Sequence, residues 1–210
     1  MFRVAIPSFN RASILANTTI KALIAGGIKE CHIFLPGNQI VEYMKELNHL
    51  DITIKYCITL VEGIGNVRNY IREYFDVGTQ VFMIDDDIIN VYRRKDIIVN
   101  LHDFIQNCFK QCIEVGSTLW GVQLFNNQFF LRDGINTKLT YINGSFTGFI
   151  RTKDEIKVDI NHMEDYLFSI LHFARDGALC KFSDVWLDTK PFLQEGGIIG
   201  QQGGLELFHK

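Results

Sequence analysis

The sequence predicts an α/β protein with a mainly parallel sheet flanked by helices and a smaller, partly antiparallel C-terminal part. In the first 115 residues, short apolar runs alternate with segments of helical spacing, a pattern typical of parallel strands joined by helices. After residue 116 the pattern changes to short β-like runs separated by turns. With 210 residues, 47% of them hydrophobic, the chain is long enough for one domain with a substantial core. We therefore predict a single domain, 1–210, in two halves, 1–115 and 116–210.

The first half is predicted to contain four strands, each followed by a helix. The strands are predicted at residues 2–6, 31–35, 52–56 and 80–84, where apolar runs are bounded by polar, glycine or proline residues. The first helix should end near Gly26 and Gly27, because glycine commonly terminates helices. A later helix should run through Ile113 on an apolar stripe that includes Cys108 and Cys112, which we interpret as core residues rather than metal ligands.

The second half is predicted to be less regular. Short strands are predicted at residues 118–122, 128–131, 139–142 and 145–150, with turns between them. A helix should follow, beginning near residues 159–161. The C-terminal stretch EGGIIGQQGGLELFHK is too rich in glycine to be a regular element.

Composition and charge exclude several classes of protein. The net charge of −3 argues against binding of nucleic acid through a broad basic surface, although a local groove of Lys and Arg is compatible with it. No apolar run approaches the ~20 residues of a membrane helix, and the N-terminus lacks the apolar stretch of a secretory signal, which predicts a cytoplasmic protein. Five cysteines without CxxC spacing indicate neither a disulfide framework nor a zinc cluster. The common dinucleotide, P-loop, serine-hydrolase and zinc-protease motifs do not occur.

Three consecutive aspartates, Asp85, Asp86 and Asp87, follow the fourth predicted strand. Parallel sheets bind ligands beyond the carboxyl ends of their strands, so this is a favourable place for a site. The three carboxylates repel one another, and a hard divalent cation such as Mg²⁺ or Mn²⁺ would compensate them. In an extended segment, Asp85 and Asp87 would face one way and Asp86 the other. The alternative is a solvated acidic turn in which Asp85 forms a cap.

Three further segments carry candidate site residues. Gly65 precedes Arg68 in GIGNVRN, at the start of a helix that would suit anionic groups, although a solvated surface arginine is the alternative. In HMEDY, Glu164 and Asp165 would supply a general base or would simply favour a helix N-terminus. The glycine-rich tail ends near His209, whose imidazole would complete a metal site or be merely exposed.

The order of these motifs resembles that of a known enzyme family. The segments IPSFNR, EGIGNVRNYI, VFMIDDDI and HMEDY resemble those of nucleotide-sugar-dependent glycosyltransferases of the Rossmann-like GT-A fold. More narrowly, the first three look like those of the TET/JBP-associated glycosyltransferases. That group comprises phage enzymes and relatives, including the base J glucosyltransferase, that attach sugars to hydroxymethylated pyrimidines in DNA. The resemblance covers residues 4–88 and 159–166, and it implies that 1–115 binds the nucleotide sugar and 116–210 the acceptor.

The resemblance also implies a reaction and a role for each motif. The chain would be a metal-dependent enzyme that moves a sugar from a UDP-sugar to a hydroxyl, such as the hydroxymethyl group of a pyrimidine in phage DNA, with inversion. It would use Mn²⁺ or Mg²⁺ and would act in the host cytoplasm. The implied nucleotide-sugar contacts are Pro7, Ser8, Arg11, Gly65, Arg68, Asp85 and Asp86. The implied metal ligands are Asp87, Asp85 and His209, and the implied base is Asp165, with Glu164 in reserve.

Three alternatives share parts of this pattern. A GT-A glycosyltransferase that acts on a glycan or another small acceptor would share every donor-side motif. A nucleotidyltransferase also needs an α/β sheet and acidic metal ligands, but it accounts less well for IPSFNR and HMEDY. A non-catalytic sugar-nucleotide-binding module would keep the fold and show no turnover.

Overall fold

The computed structural model describes residues 1–124, 126, 131–154, 156–160 and 162–189. The strands in this part of the chain are β1 Phe2–Pro7, β2 Glu30–Pro36, β3 Thr53–Thr59, β4 Gln80–Ile84, β5 Ile88–Arg93, β6 Asp96–Ile97, β7 Leu119–Gln123, β8 Ile135–Asn136, β9 Phe146–Ile150 and β10 Cys180–Thr189. The helices are α1 Ala12–Asn17, α2 Thr19–Ala25, α3 Ile40–Leu47, α4 Ile64–Tyr74, α5 Leu101–Glu114 and α6 Glu164–Asp176. A short 3₁₀ turn, Gly37–Gln39, precedes α3.

All of these strands belong to one mixed sheet. Its order is β3-β2-β1-β4-β9-β7-β10-β5-β6, and β8 pairs with β10 outside this path. The four N-terminal strands are parallel to one another, as their alternation with helices predicts. Antiparallel pairing enters with β9, which lies between β4 and β7, and continues where β10 pairs with β5 and β8. The predicted fold class, with a partly antiparallel C-terminal part, is therefore confirmed.

Helices cover both faces of the sheet and bury its apolar side chains. Side chains of α1, α2, α3 and α5 pack with Phe82 and Trp120 in one cluster, which also buries Cys108 and Cys112 as predicted. Side chains of α4 and α6 pack with Val81 on the opposite face. Successive residues of β4 enter the two clusters in turn, because neighbouring side chains of a strand point to opposite faces of the sheet. Within the described residues, every helix is too short or too polar to cross a membrane.

Several boundaries in the second half differ from the predictions. The predicted strand 139–142 is wrong, because side chains replace a neighbouring strand there. Ile142 N donates to Ser169 Oγ (3.0 Å), and Tyr141 O accepts from Lys181 Nζ (2.8 Å). The predicted strand 128–131 lies largely outside the described residues. Helix α6 begins at Glu164, later than predicted, after Met163 adopts a left-handed conformation with φ 56°.

Candidate active site

The three aspartates form a tight turn between β4 and β5. Thr19 Oγ1 donates to Asp85 O (2.8 Å) and accepts from the backbone N–H of Ile88 (3.0 Å). Thr18 Oγ1 donates to Asp86 O (2.9 Å), so the junction between α1 and α2 fixes the backbone of the turn. The expectation of an extended segment is therefore wrong, and with it the simple alternation of the three side chains.

The IPSFNR segment binds the second aspartate of this turn. Arg11 Nη1 lies 3.1 Å from Asp86 Oδ1 and 3.4 Å from Asp87 Oδ2. Ser8 Oγ donates to Asp86 Oδ2 (2.6 Å) and exchanges a second hydrogen bond with Tyr43 Oη (2.7 Å). Asp86 is only 5% exposed, and burial raises its pKa to about 6 although Arg11 and Ser8 favour the charged form. Asp86 and Asp87 thus face the same guanidinium instead of opposite sides.

Asp87 connects the turn to the end of β10, the longest strand among the described residues. Its Oδ1 accepts from Oγ1 of Thr189, the last residue of β10 (3.2 Å). Burial, followed by the negative charge of Asp85, raises the pKa of Asp87. A divalent cation would relieve both effects, so the chemistry of these two carboxylates fits a hard metal ion.

The described residues contain no group of three side chains able to hold a metal by themselves. Mg²⁺ is usually bound by one or two carboxylates together with substrate phosphates, so a site built from Asp85 and Asp87 alone is compatible with that ion. His209, the third predicted ligand, lies outside the described residues.

Arg68 joins the aspartate turn to α6. Its Nη2 donates to Asp85 Oδ1 (2.9 Å), and its Nη1 donates to Glu164 Oε1. The solvated-arginine alternative is wrong, because Arg68 is only 5% exposed. Burial disfavours its charge, but Asp85 and Glu164 more than offset this and raise the pKa of Arg68.

Two glycines shape the surroundings of this arginine. Gly65 is buried in the first turn of α4, one turn before Arg68. Gly144 lies directly against the guanidinium, where a Cβ atom would overlap Nη1 of Arg68. Any side chain at position 144 would therefore displace the guanidinium.

Asp165 occupies a different environment from its neighbour Glu164. Its Oδ2 accepts from Tyr141 Oη (2.6 Å) and from the backbone N–H of Gly144 (3.2 Å), and it remains partly exposed. The Tyr141 ring stacks on Tyr166, with ring centroids 3.9 Å apart. Glu164 is 4% exposed and paired with Arg68. Of the two acids, Asp165 is thus the one accessible from solvent.

The structure brings most of the predicted residues to one edge of the sheet. Contacts link Ser8, Arg11, Arg68 and the three aspartates with Glu164, and Pro7 is buried at the end of β1. Sequence reasoning did not identify the residues that support them, which are Thr18, Thr19, Tyr43, Tyr141, Gly144 and Thr189. Tyr141, Gly144 and Thr189 lie in the second half of the chain, 116–210. All six residues reach the predicted site residues through tertiary contacts, which a local sequence pattern does not show.

Comparison with known proteins identifies the fold. No protein-family model and no curated protein matches the sequence. Among solved structures, S. aureus TarS 1-349, a glycosyltransferase, superposes with a TM-score of 0.58 and 15% identity over 88% of this chain. This chain covers 59% of that TarS chain.

Two nucleotidyltransferases are also similar in structure. A putative glucose-1-phosphate thymidylyltransferase from Bacillus anthracis has a TM-score of 0.55 and 8% identity, covering 86% of each chain. A 4-diphosphocytidyl-2C-methyl-D-erythritol synthase from Anaerococcus prevotii has a TM-score of 0.52 and 11% identity, covering 90% of this chain and 87% of that one. The fold is that of GT-A and nucleotidyltransferase enzymes.

Proposed function

We propose that this chain is a nucleotide-sugar-utilising transferase and, more specifically, a metal-dependent glycosyltransferase. The observation that carries the proposal is the position of Asp165. This carboxylate is partly exposed and held by neutral donors, and the Arg68 ion pairs connect the adjacent Glu164 to the aspartate turn. An accessible base therefore lies beside an acidic turn at the carboxyl edge of a parallel sheet, where such folds bind nucleotides.

On the donor side, Asp85 and Asp87 would hold Mn²⁺ or Mg²⁺, and the donor would be a UDP-sugar. When bound, the metal would stabilise the negative charge of the departing nucleoside diphosphate. Arg68 pairs with Asp85 and Glu164, and Arg11 pairs with Asp86 and Asp87, so the two guanidinium groups offset only part of the negative charge and leave the rest for a cation. The resemblance of the IPSFNR and GIGNVRN segments supports this assignment of the donor half.

On the acceptor side, Asp165 would remove the proton from the attacking hydroxyl. The hydroxyl oxygen then bonds to the anomeric carbon as the bond from that carbon to the diphosphate breaks, which inverts the configuration. Tyr141 Oη and the Gly144 N–H orient the carboxylate, and Asn143 Nδ2 donates to Tyr141 Oη (2.8 Å) to fix the tyrosine in turn. We assign the acceptor as the hydroxymethyl group of a modified pyrimidine in phage DNA, on the resemblance of the motifs.

The deciding experiment offers a panel of UDP-sugars with DNA containing hydroxymethylcytosine or hydroxymethyluracil, in the presence of Mn²⁺ or Mg²⁺. The expected result is a mass increase of one sugar per modified base, with release of free nucleoside diphosphate. Release of pyrophosphate would instead identify a nucleotidyltransferase. Transfer to glycans but never to DNA would leave the glycosyltransferase proposal and remove the DNA acceptor. No turnover with any donor or acceptor would indicate a non-catalytic binding module.

A further inference from the structure

A partly exposed aromatic pair lies on the sheet away from Asp165. Tyr92 of β5 and Trp186 of β10 are directly opposed in the antiparallel ladder. Their rings stack with centroids 4.3 Å apart and planes 6° from parallel, and both residues are partly exposed. Trp186 Nε1 donates to the backbone O of Arg94 (2.6 Å), which fixes the pair against the turn between β5 and β6. The stack is therefore ordered without being part of the core.

The position of this stack within the sheet follows from strand alternation. Val91, Val185 and Leu187 belong to the core cluster that α5 covers. Tyr92 and Trp186 alternate with them and must point to the opposite face. That opposite face carries α4 and α6 over the other end of the sheet. The stack therefore lies on the same side of the sheet as α6, whose first turn holds Asp165.

A cationic cavity of about 190 Å³ opens beside the β5–β6 turn. Its lining residues are Arg94, Lys95, Asn126, Leu131, Arg132 and Asp184. Asp184, its single carboxylate among the described lining residues, pairs with Arg93 (3.3 Å), and Arg94 pairs with Asp133. Lys95 is exposed and has no ion-pair partner among the described residues. The cavity therefore keeps positive charge in a protein whose net charge is −3.

We infer that the Tyr92–Trp186 stack and this cavity together form a contact surface for a nucleic-acid strand. Bases would stack on the outer ring faces of the pair, those not occupied by the partner ring, and backbone phosphates would contact Lys95 and Arg132. Proteins that hold single strands combine these same two elements, aromatic platforms and a cationic groove. A polyanion without bases would need the cations alone, so the adjacent ring stack favours nucleic acid.

The inference deepens the proposed function, on which it rests for the identity of the acceptor. Strand β5 begins next to the aspartate turn and ends at Arg93, and its six residues span roughly 20 Å. A nucleic-acid strand held at the cavity would thus have another part of its length near the candidate active site.

Binding is measured with a fluorescently labelled single-stranded oligonucleotide, by anisotropy at low salt and without any sugar donor. Lys95→Glu combined with Arg132→Glu should raise Kd at least tenfold and reduce the slope of log K against log salt by about one to two. Lys45→Glu, an exposed lysine in the last turn of α3, is the matched control and should leave Kd nearly unchanged. Trp186→Leu should also weaken binding, by loss of stacking.

Tryptophan fluorescence gives an independent signal. The chain has two tryptophans, and Trp120 is fully buried, so an oligonucleotide that stacks here should quench the emission of Trp186 alone. Equal weakening by Lys45→Glu would show a general charge effect and overturn the inference. So would equal binding of an abasic strand of the same length, which would indicate a surface for polyanions instead.

The failure of this inference can be told apart from failure of the proposed function. Sugar transfer to a free hydroxymethylated nucleoside does not need the cavity, so it should survive in the Lys95→Glu and Arg132→Glu variant. Absence of that transfer in the wild-type protein, together with oligonucleotide binding that the Lys95→Glu and Arg132→Glu variant loses, would contradict the proposed function alone. Transfer to the nucleoside without any oligonucleotide binding would contradict the surface alone.

Discussion

Carboxylates at the site edge of the sheet occur in two environments. Asp86 and Glu164 are 5% and 4% exposed, and each is paired with a buried or half-buried arginine. Asp165 follows Glu164 directly but is partly exposed and accepts from neutral donors, Tyr141 and a backbone N–H. Successive residues on a helix point about 100° apart, so the two neighbours face different surroundings. Under the proposed function, the arginine-paired acids build the site and the neutrally held acid acts as its base.

The sharpest test of this division is Asp165→Asn. The amide keeps the size of the side chain but cannot take a proton, so transfer should fall by about 10²–10⁴-fold. Donor binding, measured by calorimetry with a UDP-sugar and Mn²⁺, should stay within twofold because the proposed donor contacts lie elsewhere. Asp51→Asn, at an exposed position after α3, is the matched control and should change neither quantity. Full transfer activity in Asp165→Asn would contradict the assignment of the base.

Removing the arginine from an arginine–carboxylate pair should lower the free energy of unfolding. Arg68→Met leaves Glu164 buried without its cation, and breaking a buried pair in this way costs about 3–5 kcal/mol of the free energy of unfolding. Urea unfolding followed by circular dichroism measures this loss. Adding Glu164→Gln in the same chain should recover part of the stability, because the unpaired charge disappears. A loss below about 1 kcal/mol for the single variant would show that the pair does not hold α4 to α6.

Asp86 makes the arginine-paired group sensitive to pH. Its pKa of about 6 in the folded protein lies above its ordinary value of 3.8, so the folded state binds more protons than the unfolded state between those values. Stability from this group is therefore present at low pH and is lost as pH rises through that window, by at most roughly 3 kcal/mol. Asp86→Asn removes this titration but keeps a hydrogen-bond acceptor and the size of the side chain.

Urea unfolding of wild type and Asp86→Asn at about pH 4.5 and about pH 7, with a chelator present, measures this effect. The variant should gain about 1–3 kcal/mol relative to wild type at the higher pH. Asp87 titrates in both proteins, so its contribution largely cancels in the comparison. If the free energies of unfolding of wild type and Asp86→Asn changed equally with pH, burial would not raise the pKa of Asp86.

Three strands of the first half were predictable because they are buried on both faces. Such strands are continuous apolar runs, and β1, β2 and β4 appear at the predicted places. Strands β5 and β10 were not predicted. On each of them, polar or aromatic residues of one face alternate with the core residues of the other face, so the sequence shows no continuous apolar run. On β10, Val185 and Leu187 enter the core while Trp186 and Asp188 do not.

The site was predictable to the extent that motifs follow strands. Since parallel strands end at one edge, residues from IPSFNR, GIGNVRN and the aspartate turn were expected to meet, and the structure brings them together. The pairings were not predictable. Arg11 and Asp86 are 75 residues apart, and Tyr141 reaches Asp165 from a segment without a motif. Such choices depend on tertiary packing, which a local pattern does not contain.

Gly144 tests whether the two environments are mechanically coupled. Gly144 touches both, because its N–H donates to Asp165 and its Cα faces Arg68. In Gly144→Ala, the new methyl group overlaps Nη1 of Arg68, so the guanidinium must shift, at a cost of about 1–3 kcal/mol of stability. If the arginine is the cause, Gly144→Ala should cost much less in the Arg68→Met background, where the guanidinium is absent. An equal cost in both backgrounds, measured by urea unfolding, would place the strain in the backbone and separate the two groups of acids.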